Sequence, residues 1–208
     1  MKKSKLAVTL LLIVAVVLSF TGCKQALSQE DFISGCESYG IEKVDDAGIL
    51  TENLNGRGGK DGYYATNDKD EAKKLSNLVL NRFNNMPEIE SSGFAFAVVR
   101  EKGSDDRYYA TFVCYMTFAD NQKAKDAYDN LVDAYGDEEY GKTGESAGIT
   151  YCVDSGVSAA ETNKIGTGVY LKENTVIFLR TQASVNDSYK FTDKICGKLG
   201  LLSPSKAE

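Results

Sequence analysis

The chain has 208 residues, with 24 basic against 30 acidic side chains, a formal net charge of −6, and neither histidine nor tryptophan. That acidic balance argues against nucleic acid as a partner, because phosphate backbones are bound by basic surfaces. The absence of histidine excludes Ser-His-Asp and Cys-His catalysis, His-ligated zinc and His-based pH switching.

The first feature in chain order is a targeting segment. Lys2, Lys3 and Lys5 form a positive start, residues 6–20 are an uncharged apolar run, and Thr21 and Gly22 lead into the first cysteine, Cys23. This is the layout of a secretory signal peptide. The run is shorter than the roughly 20 apolar residues that a membrane-crossing helix needs. No A-x-A site for plain secretion is found near its end. Phe20-Thr21-Gly22-Cys23 resembles a bacterial lipobox, which implies cleavage before Cys23 and acylation of its thiol. Three lysines leave with the signal peptide, so the mature domain is expected to carry about −9. One acyl chain holds a protein only marginally and two hold it stably, so a multiply acylated Cys23 is a lasting tether.

The patterning predicts a domain starting within a few residues of that tether. Ser28, with Asp31 three residues on, caps a helix with Phe32, Cys36 and Tyr39 on its inner stripe and Gly40 as its stop. Residues 44–67 are rich in Gly, Asn and Asp and are expected to be a flexible loop. Lys60 followed by Asp61 fails the phosphate-loop pattern. Asn67 and Asp70 open a helix over 68–85, with Ala72, Leu75, Val79, Phe83 and Met86 at helical spacing. Asp68, Asp70 and Glu71 lack the calcium-loop pattern and complement the helix dipole instead.

Strands are then expected at 94–101 and 107–118, joined as a hairpin. In the second, Tyr108, Ala110, Phe112, Cys114, Met116 and Phe118 share a packed face. Tyr109, Thr111 and Tyr115 lie on the other, which makes them the candidate binding face. Asp120 caps a helix carrying Ala124, Ala127, Tyr128, Leu131 and Tyr135. An acidic loop over 137–148 precedes three short strands at 149–153, 168–172 and 175–181. Residues 154–167 read as a mobile loop. A last helix over 187–198 ends at Gly200.

The expected fold is therefore α+β: a single domain with an antiparallel sheet of about five strands and helices packed mainly on one face. Residues 1–22 are the signal peptide, 23–27 the lipidated cysteine and tether, 28–202 the globular domain and 203–208 a tail. Cys36, Cys114, Cys152 and Cys196 contain no C-x-x-C, so zinc and thioredoxin-type chemistry lack support. They are either small buried hydrophobes or two disulfides. The helix ends around Cys36 and Cys196 echo one another, each cysteine lying one turn before a stop glycine, and Cys36–Cys196 is the pairing to test first. No residue pattern calls for a cofactor or a metal.

The opening helix ending in glycine, the run from Phe112 through Phe118-Ala119-Asp120 to Ala124 and Tyr128, and Asn174-Thr175-Val176 resemble small lipoproteins of Gram-positive anaerobes. That resemblance implies the fold and the anchor and supplies no catalytic residue. The function expected is a lipid-anchored interaction module on the outer face of the cell membrane, with a protein or cell-envelope ligand. The alternative is a cell-surface hydrolase using paired carboxylates.

Overall fold

The computed structural model describes residues 27–51, 59–81, 86–135, 141–157 and 162–206. Helix α1 (Gln29–Ser38) starts where Ser28 accepts a hydrogen bond from the Asp31 amide. It is followed by the short α2 (Ala47–Thr51), strand β1 (Gly62–Thr66) and α3 (Lys69–Leu80). The hairpin β2 (Gly93–Lys102) and β3 (Tyr108–Thr117) leads into α4 (Asn121–Tyr135). Strands β4 (Lys142–Ser146), β5 (Ile149–Val157), β6 (Asn163–Lys172) and β7 (Thr175–Ser184) then precede α5 (Lys190–Leu199) and a 3-10 turn (Pro204–Lys206).

The strands form one antiparallel sheet in the order β1-β2-β3-β7-β6-β5-β4. It has seven strands where about five were expected. The additional two, β1 and β4, lie in stretches read as loops, and β5 and β6 extend into the supposed mobile segment. β4 is an edge strand with four of its five residues exposed, so it carries no apolar alternation from which it could be read.

Helices cover both faces, not mainly one. On one, here face A, Phe94, Phe96, Val98, Phe112, Cys114, Met116, Val176 and Phe178 pack against α2, α3 and α4. On the other, face B, Ala95, Ala97, Val99, Val113, Tyr115, Ile177 and Leu179 pack against α1 and α5. The cause lies in the sequence: β2 reads Phe-Ala-Phe-Ala-Val-Val, apolar at both parities, so neither face of its central part can be left in water.

The cap motifs of α1 and α5 match as their sequences suggested. Gly40 and Ile41 donate to the carbonyls of Glu37 and Cys36, and Gly200 and Leu201 donate to those of Gly197 and Cys196. Both are Schellman ends with the glycine in the left-handed region, at φ 88° and 68°. Residues 203–206 of the expected tail are part of the fold: Ser203 and Pro204 are buried, and Ser203 and Ser205 both donate to Asp193.

Gly40→Ala and Gly200→Ala are each expected to lower stability by about 1 kcal/mol, because a Cβ is strained at positive φ. A urea midpoint unchanged by either substitution contradicts the cap assignment.

Candidate functional site

Cys23, the residue expected to carry the lipid, lies outside the described residues. The proposed binding face is not open. Tyr109, Thr111 and Tyr115 are 7%, 1% and 3% exposed, and the ring of Phe32 on α1 lies against that of Tyr115. Each polar tip is already used: the Tyr109 hydroxyl donates to Asp105, Thr111 shares a 2.7 Å hydrogen bond with Thr181, and the Tyr115 hydroxyl donates to the Leu27 carbonyl at 2.9 Å. Alternation on β3 was legible, but residues far off in sequence close the parity left over.

Cys36 and Cys196 are free thiols, and both are buried. Their helices touch: a Cβ on Gly35 would meet Ile195, and Lys194 donates to the Ser38 carbonyl. The cysteines themselves point to different strands. Cys36 lies near Tyr63 on β1, and Cys196 interacts with Tyr170 on β6. Each thiol is seated against its own strand, and neither is joined to the other in the structure. Burial pushes both thiols up to about 12, which makes them inert packing groups.

The open surface is on face A, at the end of the sheet away from Leu27. Here α4 ends at Tyr135, whose ring sits 4.7 Å from that of Phe178, with its hydroxyl donating to the Leu80 carbonyl. Past Phe178 along β7 come Arg180 and Gln182 on the same face. Both are half-exposed, as are Ala110 on β3 and Ile165 on β6, and Tyr108 is 59% exposed. Face B at the same level is closed: Thr181 is 0% exposed and Ala183 6%. On face A the partly exposed stretch of β7 is Arg180 and Gln182, bounded by the buried Phe178 and Ser184.

Arg180 sits at the centre of this surface. It pairs across the ladders with Phe112 on one side and Thr167 on the other, and Asp154 is one strand further, opposite Thr167. Among the described residues Arg180 has no hydrogen bond or ion pair. Its charge reaches Tyr135, opposing the burial that pushes that phenol up to about 12. Arg100 at the rim differs, because its guanidinium bonds Asp61 at 3.1 Å and the Lys60 carbonyl. Sequence patterning passed over Arg180. The available signal was a cation at the same parity as Val176 and Phe178.

A second concavity, of about 330 Å³, lies between α2, β1 and α3 and is lined by Asp45, Asp46, Tyr64, Glu71, Lys74 and Leu78. Its carboxylates serve local structure. Asp46 accepts from the Gly48 amide and Glu71 from the Tyr64 hydroxyl. Two carboxyls among the described residues, Glu90 and Asp105, have their acidity held down by hydrogen bonds from Lys123 and Tyr109 respectively. A general acid needs the opposite displacement.

No protein-family model matches the sequence, and no curated protein matches it. Among solved structures, the extracellular domain of PknH from Mycobacterium tuberculosis is similar at 14% identity and a TM-score of 0.37, over 56% of this chain and 64% of that one. Likeness at that level carries no argument about fold or function.

Native protein alkylated with iodoacetamide at about pH 8 is expected to leave Cys36 and Cys196 unmodified and unlinked, since the protonated buried thiol is a poor nucleophile. A Cys36–Cys196 disulfide peptide in the digest contradicts their assignment as free, buried thiols.

Proposed function

We propose that the chain is a binding module tethered outside the cytoplasm by acylation of Cys23, and that it meets its ligand through the half-covered end of face A. The reading rests on three supports. The first is the positive start, apolar run and cysteine of the N-terminal segment. The second is the place where the domain begins. Leu27 is buried with its carbonyl held by Tyr115, and Gln29 donates to the Phe94 carbonyl. Four residues from Cys23 span at most about 14 Å, so the Phe94 and Tyr115 end of the sheet is kept close to the membrane.

The third support carries the reading: the open part of face A is at the other end of the same strands. From Tyr115 to Ala110 along β3 is five residues, or roughly 17 Å, directed away from the tether. A short leash therefore holds the covered end at the lipid surface and turns the uncovered end outward, as a surface-tethered receptor requires. Single exposed apolar residues are ordinary, but a continuous strip with a central cation on an otherwise packed sheet is the kind of patch that marks an interaction site.

The test is fractionation of cells making the full chain. Wild-type protein is expected in the membrane fraction, beginning at residue 23 with added acyl mass, and Cys23→Ala is expected to keep residues 1–22. Wild-type protein recovered with its first 22 residues intact, or with an unmodified thiol at Cys23, overturns the tether.

A further inference from the structure

We infer that the open end of face A binds an acidic peptide, with the Arg180 guanidinium gripping a carboxylate of the ligand. The inference rests on the binding-module reading and adds the chemistry of what is bound. Arginine is the side chain best matched to carboxylates, because its planar fork donates two parallel hydrogen bonds to the two oxygens. Arg180 is half-exposed on a central strand, and its neighbours across the ladders, Phe112 and Thr167, carry no charge. A cation so placed, with no ion partner among the described residues, offers that fork to an incoming group.

The surroundings favour a peptide over a bare anion. Gln182 lies two residues further on the same face and supplies both an amide donor and an acceptor, which suits a peptide group. Ala110, Ile165 and Tyr108 provide apolar surface beside it. Both edges of β7 are already paired, with β3 and β6, so the ligand cannot add as a strand and must lie on the side chains. Overall charge limits the ligand further. The chain is net negative and Asp154 lies on the same face opposite Thr167, so a long polyanion is repelled, whereas a mostly neutral segment with one acidic side chain can set its charge on Arg180 with less of that penalty.

Two heptapeptide libraries test this, one with glutamate fixed at the central position and one with glutamine, passed over the full processed chain in detergent. Wild-type protein is expected to retain the glutamate library about tenfold better than the glutamine library, the worth of one charge-assisted pair. In Arg180→Gln the ratio is expected to fall to near one, and in Arg180→Lys to lie between, since the charge remains and the fork is lost. Thermal melts of the variants check that each is folded, and the comparison of libraries on wild-type protein needs no variant. Equal retention of the two libraries on wild-type protein overturns the inference, as does a glutamate preference that survives Arg180→Gln. Retention of neutral peptides that Ile165→Glu abolishes and Arg180→Gln leaves unchanged also overturns it, while leaving the binding face standing.

Discussion

The structure depends on one constraint, three adjoining strands, β2, β3 and β7, that each carry consecutive buried residues and so are buried at both parities. A strand with water on one side alternates. β2 does not, and so it forces helices onto both faces of the sheet. The two faces are built differently. On face A the sheet supplies the bulk, through ring contacts running from Phe94 to Phe96, Phe112 and Phe178, and the helices supply Ala72, Val79, Ala124, Ala127 and Leu131. On face B the sheet presents the small Ala95 and Ala97 beside the rings of Tyr63, Tyr115 and Tyr170, and the helical side adds Phe32 against Tyr115 and Tyr39 against Phe191. Large and small side chains interleave on each side, which is how a core reaches full density without voids.

Features set by nearest neighbours were legible in the chain. Ser28 caps α1, Asp120 accepts at the start of α4, and glycine ends α1 and α5, because a cap is chosen by three or four consecutive residues, whereas the cap of α3 is Asp68, accepting from the Glu71 amide, and not the expected Asn67. Features set by distant partners were not. β1 holds its place by pairing with β2 and β4 by pairing with β5, and their own composition reads as loop. The same limit governs the site. Thr111 and Tyr115 look like a polar sheet surface until Thr181, seventy residues later, and Phe32 of α1 are brought against them. Arg180 looks like the end of a buried strand until α4 stops short of it.

The echo between Cys36-Glu-Ser-Tyr39-Gly40 and Cys196-Gly-Lys-Leu199-Gly200 shows how far such patterns reach. It identified two helix ends of one geometry. It did not identify a bond, because sharing a cap motif fixes how each chain turns and leaves open which strand each thiol faces.

One sheet, closed on one side and partly open on the other, supports both the outward-facing orientation and the cationic grip. Hydroxyl-radical footprinting of the folded chain tests that asymmetry most directly, residue by residue along β3. Tyr108 oxidising rapidly while Tyr109 and Tyr115 stay protected until the protein unfolds is the result the account predicts. Oxidation of Tyr109 and Tyr115 at the rate of Tyr108 would contradict it, since face B would then be the open side.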